Sequence, residues 1–497
     1  MTDAQASSLL PRRVDWDGAE LRLTLTAHGE VEVWLDDTRY ARLRADEAGE
    51  ARLAVPVLPN GRSQVKLQLR VAAERSAAVT LQSHRAGLAR AAAVLPPLPL
   101  REQDYVDVTA MAEPLQHEIA IVVPVYNAPD AVAVCLDSVI AQTRGAARLI
   151  VIDDASPDPA IAPLLARYRD VPGVTLLSNA HNLGFTATAN RGIEAAGRAD
   201  VVLLNADTEV AAHWLTGLRR AAWAAADTAS ATAVSDNAGA FSVPELEQEN
   251  PFPHEWAFAQ AALAVRQQAG SAYPRLPTGN GFCLYLKRAA LDTVGLLDAD
   301  AFAQGYGEEN DWCQRAEAAG WRHVIAGDVL VRHARSQSFG EERRRTLGEA
   351  GMAVLRERWP NYENDVGASL FSPRRRVLDW RVRRAYAGEP PLPRILCWED
   401  AAADTQAVQI YRCRRGRDGL WLELPGGDAT LFEALADASV MAGCSTGEWQ
   451  ASFARLLQCH AIDRIAGPLP AEFARVAAAL AIDTTQAPAQ SPFGTVT

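Results

Sequence analysis

Lysine is almost missing from this chain. It occurs only at Lys66 and Lys287 among 49 basic residues, so nearly all the positive charge is arginine. With so much alanine, we read this as base bias in the coding sequence. The net charge of −12 argues against a general binder of nucleic acid or anionic membrane. The seven cysteines, Cys135, Cys283, Cys313, Cys397, Cys413, Cys444 and Cys459, are scattered, odd in number and never spaced as CxxC. That excludes a zinc-ribbon or disulfide framework and suits a reducing compartment. No apolar run reaches about 18 residues, so no transmembrane helix is expected. The start, MTDAQASSLLPRR, lacks a basic-then-apolar signal pattern. These absences together point to a cytoplasmic protein. Neither a P-loop lysine motif nor GxGxxG is present, which disfavours P-loop NTPases and dinucleotide enzymes. No internal repeat is found.

What is present is ordinary globular composition, 48% apolar and 22% charged, over 497 residues, enough for roughly three domains. Residues 1–94 alternate with period two at Leu21, Leu23 and Leu25, at Val31, Val33 and Leu35, at Leu53, Val55 and Val57, and at Val65, Leu67 and Leu69. With turns at His28-Gly29 and Asn60-Gly61, that predicts a small all-β sandwich, read as a packing or oligomerisation module before a carbohydrate-binding one. Residues 95–117, with the stiff Leu95-Pro96-Pro97-Leu98-Pro99, form a linker.

From residue 118 to 362 the pattern becomes α/β. Ile119 to Val125, Leu149 to Ile152, Val174 to Leu177 and Val201 to Leu204 are continuous apolar runs separated by helical stretches, as in a doubly wound parallel sheet. Three of these strands end in polar residues: Pro124, Tyr126 and Asn127; Asp153 and Asp154; Asn205 and Asp207. In open α/β sheets, ligands bind at the carboxyl ends of the strands. Asp153 or Asp154 can accept from a base or ribose, and Asn182, Gly184 and Arg191 lie in and after the next loop. Asp207 is a hard-oxygen ligand suited to Mg²⁺ or Mn²⁺ and a diphosphate. Gly279 and Asn280 precede an alternating strand where glycine lets a ligand approach the backbone.

Glu308, Glu309 and Asp311 occupy the first turn of a helix opened by Gly305-Tyr306-Gly307. For Glu308 and Asp311, complementing the helix dipole competes evenly with catalysis, and Asp311 can pair with Arg315. Glu309 is the preferred general base. His333 follows a strand and precedes Ser336-Gln337-Ser338-Phe339. A structural histidine is the simpler reading, metal ligation or phosphate contact its rival.

These segments, Ile121 to Asn127, Asp153 to Ser156, Asn182 to Phe185, Leu204 to Asp207 and Gly307 to Cys313, resemble family 2 glycosyltransferases in kind and order. The stretch of about 117–345 is similar to their rhamnosyltransferase-like branch, which builds bacterial surface polysaccharides. The resemblance implies a GT-A fold, inversion at the anomeric carbon, a nucleoside-diphosphate sugar donor of UDP or dTDP type and a divalent metal, Mg or Mn. It implies that Pro124, Tyr126 and Asn127 line the base pocket, and that Asp153 and Asp154 hold base and ribose. It also implies metal binding by Asp207 and His333, and that Glu309 stands at the position of the base. Asn205 replaces the first Asp of the family's Asp-x-Asp motif, and Glu309 stands where Asp is frequent. The implied acceptor is a glycan or polyprenyl-linked glycan of O-antigen or capsule type. A non-catalytic scaffold that binds nucleotide-sugar is the alternative. A nucleotidyltransferase is disfavoured, because no Gly-rich phosphate loop follows the first strand.

Residues 363–393 read as a basic helical linker. Arg374, Arg375, Arg376, Arg381, Arg383 and Arg384 form a solvated face or, as the rival, a patch for anionic lipid at the inner face of the cell membrane. Residues 394–483 resemble the first half of a GT-B glycosyltransferase, a partial Rossmann-like α/β domain, with Gly426-Gly427-Asp428 only a turn. Residues 484–497 read as a disordered tail. The alanine-rich surfaces leave room for a homo-oligomer.

Overall fold

The structure is a computed structural model. It describes strands within residues 13–82, then residues 118–145, 147–253, 255–269, 273–334, 341–370, 372–403, 407–416, 419–425, 429–434, 446–484 and 492–493. The 95–117 linker, the turns at His28-Gly29 and Asn60-Gly61, the loop 336–339, Gly426 to Asp428 and most of the tail lie outside the described residues.

The N-terminal strands are β1 (Arg13–Trp16), β2 (Glu20–Thr24), β3 (Glu30–Leu35), β4 (Thr38–Arg44), β5 (Glu50–Ala54), β6 (Gln64–Val71), β7 (Glu74–Arg75) and β8 (Val79–Gln82). They form two antiparallel sheets, β1-β2-β5 and one built on β4-β3-β6. Val31, Val33, Leu67 and Leu69 are buried while their neighbours are not, as the period of two requires.

The central sheet holds β9 (Ile119–Val125), β10 (Ala147–Asp153), β11 (Val174–Ser178), β12 (Asp200–Leu204), β13 (Thr208–Glu209), β14 (Thr228–Ser235), β15 (Cys283–Leu286) and β16 (Arg322–His333). Their order is β11-β10-β9-β12-β15-β14-β16-β13. The β11-β10-β9-β12 half is parallel, and β15 joins β12 antiparallel. The α/β expectation holds: a large, curled, mixed sheet whose parallel half is covered on both faces.

Alternation along the strands explains the two layers. Ile119, Ile121, Val123 and Val125 face α1 (Pro129–Gln142) and α4 (Trp214–Trp223). Ala120, Val122, Ile150 and Ile152 face α3 (Phe185–Ala195), with α2 (Ile161–Ala166) on the opposite layer. Helix α5 (Phe258–Ala269) packs on the first layer, and α6 (Arg288–Val294) and α7 (Glu308–Ala318) pack on the second through Leu291, Trp312 and Cys313. Helices on both faces let parallel strands be apolar throughout, which is why those runs are continuous in the sequence.

Three further helices follow: α8 (Glu341–Arg358), α9 (Tyr362–Leu370) and α10 (Pro373–Tyr386). Three of the six arginines singled out on α10, Arg375, Arg376 and Arg381, are buried rather than on a solvated face, while Arg374 and Arg383 are half-buried and Arg384 is exposed. Arg375 and Arg376 are 0% and 2% exposed. Arg375 donates to Asp379 at 2.9 Å, to the Ala240 carbonyl at 2.8 Å and to the Ser242 carbonyl at 2.7 Å. Arg381 donates to the Ala269 carbonyl at 2.6 Å, and Arg383 pairs with Glu245. These groups hold the 238–245 loop and the end of α5, so their charge is spent inside the molecule.

The C-terminal sheet, β17 (Arg394–Trp398), β18 (Gln409–Arg415), β19 (Gly419–Glu423), β20 (Ala429–Ala434), β21 (Arg464–Ala466) and β22 (Asp483–Thr484), runs β20-β19-β18-β17-β21-β22. Helices α11 (Thr446–Cys459) and α12 (Ala471–Ala479) cover it, with Phe453 and Phe473 stacked at 4.5 Å against Trp398. Arg266 of α5 reaches this unit, pairing with Asp463 and donating to the carbonyls of Ala461 (3.1 Å) and Ile462 (2.8 Å). Phe493 departs from the expected disorder of the tail. It is 1% exposed, belongs to the central core cluster and lies against Gly173, so one aromatic ring docks an otherwise polar stretch.

Candidate active site

The carboxyl ends of β9, β10 and β12 open on one cavity of about 420 Å³. From the sequence-derived set, Pro124, Tyr126, Asn127, Asp154, Asn182, Gly184, Asn205, Asp207, Asn280, Glu308, Glu309 and His333 line it. Asp153, Arg191, Gly279 and Asp311 do not.

One wall is built from loops tied to each other. Asn127 and Ala128 adopt left-handed backbone between β9 and α1. The Asn127 amide donates to Ser156 Oγ at 2.9 Å, and its Oδ1 accepts from the Asp158 amide at 3.1 Å. Asp154, 4% exposed, accepts from Asn179 Nδ2 (2.7 Å) and the amides of Leu183 (2.8 Å) and Gly184 (3.0 Å). Its carboxylate therefore orders the Asn182–Gly184 loop before any ligand arrives. Asp153 Oδ1 accepts from the Ser156 amide at 3.0 Å. Arg191 donates to the Ser178 carbonyl at 2.7 Å and pairs with Asn179, bracing the same loop from behind. Gly279 is a packing position, where a Cβ would lie 2.9 Å from Leu284 and 3.3 Å from Cys313 Sγ.

Asp207 and His333 meet because β13 pairs with the end of β16, Thr208 opposite His333. His333 Nε2 lies 3.4 Å from Asp207 Oδ1, both side chains 12% exposed. The imidazole stacks on Phe282 with centroids 5.3 Å apart, and Nδ1 lies 3.1 Å from the Asn237 carbonyl. A carbonyl only accepts, so Nδ1 carries a hydrogen toward it and Nε2 is the nitrogen that faces Asp207. Two lone-pair donors converging this closely fit a divalent cation, which binds oxygen and imidazole nitrogen at about 2.0–2.2 Å. Among the described residues no third His, Cys, Asp or Glu joins them. Such a cation would complete its shell with water and substrate oxygens, as Mg²⁺ commonly does. Asn205 lines the cavity beside them. Its backbone bonds Phe282 and Thr208 at 2.9 and 2.7 Å.

The other wall is the start of α7. Gly305, Tyr306 and Gly307 all have positive φ, +88°, +70° and +136°, and they turn the chain sharply into Glu308. Glu308 is 3% exposed and accepts from the Gly307 amide at 3.0 Å. Burial pushes its carboxyl well above the usual range, and adjacent Glu309 pushes it further. Burial raises Glu309 too, while hydrogen bonds to the charged form, including one from Glu308, oppose the rise. Both carboxyls are thus shifted toward the protonated form, and because they interact the pair titrates as a unit. Glu309 Oε2 is buried with no hydrogen-bond partner. A buried carboxylate oxygen without a donor is costly unless something else supplies one.

Asp311 was a catalytic candidate, and the structure turns it away from the cavity. It is 0% exposed and held by Arg315 Nε (2.9 Å), Arg358 Nη1 (3.1 Å) and Trp359 Nε1 (3.0 Å). Phe282, Gln304 and Tyr306 line the cavity and were not singled out. Tyr306 carried a readable signal, since a tyrosine between two glycines marks a sharp turn.

The glycosyl transferase family 2 model matches residues 120–295. An uncharacterized glycosyltransferase of Escherichia coli (strain K12), YibD, is 38% identical over 96 residues, 19% of this chain. The chain spans about a quarter (27%) of that relative's length. Among solved structures, the mannosyltransferase PcManGT from Pyrobaculum calidifontis in complex with GDP-Man and Mn²⁺ aligns with a TM-score of 0.38 at 18% identity. That alignment covers 60% of this chain and 79% of the other. GalNAc-T7 with UDP, GalNAc and Mn²⁺ aligns with a TM-score of 0.38 at 16% identity, covering 50% and 49%. The family 2 match falls on the strand-end motifs and takes in the parallel half of the mixed sheet, an α/β arrangement consistent with the GT-A fold.

Proposed function

We propose that this chain is a metal-dependent inverting glycosyltransferase, moving a sugar from a nucleoside-diphosphate donor to a hydroxyl of a glycan or lipid-linked glycan. The observation that carries it is the pairing, in one cavity, of the unpartnered Glu309 Oε2 with the converging Asp207–His333 donors. Among the described residues no arginine or lysine lines this cavity. A diphosphate bound there needs positive charge, and Asp207 and His333 are the groups able to hold it as a cation. Such a cation would neutralise the diphosphate as it leaves.

The chain's own residues supply the rest. Tyr126 and Asn127, with the loop ordered by Asp154, form the floor for base and ribose. Glu309 takes the proton of the attacking hydroxyl at Oε2, and Glu308, protonated, stabilises the charge that Glu309 carries before transfer. Inversion requires one in-line displacement, so the base and the leaving group must lie on opposite faces of the anomeric carbon. Glu309 stands on α7 and Asp207 follows β12.

A screen of UDP-, dTDP- and GDP-sugars with and without Mn²⁺, reading nucleoside diphosphate release, tests the proposal. Metal-dependent release from one donor, with inverted configuration in the product, is expected. Tight donor binding by folded protein without release for any donor or acceptor would favour the scaffold, and pyrophosphate release would favour a nucleotidyltransferase.

A further inference from the structure

Helix α8 lies outside the family match, yet its backbone meets the turn that carries the base. A Cβ on Gly351 would lie 1.7 Å from the Tyr306 carbonyl oxygen and 3.0 Å from its carbonyl carbon. The contact is backbone against backbone, so no side-chain rotation can relieve it. From the other side, a Cβ on Gly307 would lie 2.6 Å from the ring of Phe302. Phe302 clusters with Leu355, Met352 and Trp359 of the α8 region. Arg358 closes the arrangement, donating to Asp298 at 2.8 Å and to Asp311 at 3.1 Å.

We propose that Gly351 is a positioning residue for the reaction. Resting on the reading of Glu309 as the base, the inference is that α8 fixes where the Gly305–Gly307 turn delivers Glu308 and Glu309. The close approach presses the Tyr306 carbonyl into the turn, and the turn sets the first residue of α7. Any side chain at 351 must widen the 1.7 Å contact to at least 3.0 Å, a shift of about 1.3 Å passed to the turn. Displacing a reacting group by about 1 Å costs about 100-fold in rate.

The same helix supplies the control. Gly348 has nothing within 4 Å of its Cβ position. Gly351→Ala and Gly348→Ala gain the same helical propensity, and only the first meets the turn. With the donor that wild type turns over, Gly351→Ala is expected to lose about 100-fold in kcat per folded molecule, with donor KM within about twofold. The acidic limb of its pH–rate profile should move down toward the ordinary carboxylate range as the turn opens and water reaches Glu309. Gly348→Ala should match wild type in all three. Equal kcat and pH profile for the two variants would overturn the proposal, as would a loss in Gly351→Ala accounted for by unfolded protein. A crystal structure of Gly351→Ala decides the point without turnover: unmoved Tyr306 and Glu309 would refute it. A wild type silent on every donor would instead count against the glycosyltransferase reading and leave that crystallographic test standing.

Discussion

The two walls of the cavity use polar groups in opposite ways. On the strand-end wall Asp154, Asn127 and Asn182 hold neighbouring loops through hydrogen bonds already made. Across the cavity Glu309 Oε2 has no donor, and at the ends of β12 and β16 the Asp207 carboxylate and the His333 imidazole converge. The first wall is finished without a ligand, and the second leaves Glu309 Oε2 without a donor. Chemistry therefore belongs to the second wall, and the first sets the shape that donor and metal must fit.

Variants of the unfinished wall should give the largest effects. Glu309→Gln removes the base and should lower turnover by about 10³-fold, measured as nucleoside diphosphate release. Asp207→Ala should lower turnover comparably and abolish the metal dependence of donor binding, followed by tryptophan fluorescence on Mn²⁺ titration.

The finished wall should respond in KM. Asp154→Ala frees the Leu183 and Gly184 amides, so donor KM should rise about tenfold with kcat less changed; a kcat-only effect would break the contrast. Away from the cavity, Arg375→Ala leaves Asp379 buried without its partner. Stability in urea should fall by about 3–5 kcal/mol with kcat of the folded fraction intact.

The smallest effect is a matter of pH. Glu308 has its folded carboxyl raised well above its unfolded value by burial, so its stabilising contribution is complete at acid pH and is lost as pH rises through that raised value. Glu308→Gln removes the titration. Its melting temperature should approach or exceed that of wild type at alkaline pH and lose the advantage near pH 4.

Much of the first wall was legible in the sequence, because parallel strands covered on both faces must be continuous apolar runs that stop at the rim. Which rim residues face a ligand was not legible. Asp153, Asp154 and Arg191 satisfy local backbone groups, and only the folded loops reveal it. Glu308, Glu309 and Asp311 look alike in the sequence as first-turn carboxylates. Asp311 is separated from the others by Arg358 and Trp359, which arrive from the end of α8 and the residue after it. Arg375 and Arg381 of α10 misled for a similar reason: their acceptors include main-chain carbonyls, which every residue possesses and no motif advertises. The Asp207–His333 encounter depends on the pairing of β13 with β16, a register that neither segment states alone.

The most direct measurement is donor binding and turnover by Glu309→Gln in Mn²⁺, side by side with wild type. The account predicts donor affinity within about threefold of wild type, metal dependence retained and turnover lower by about 10³-fold. Turnover close to wild type in the folded variant would contradict it, and the base would have to be sought elsewhere in the cavity.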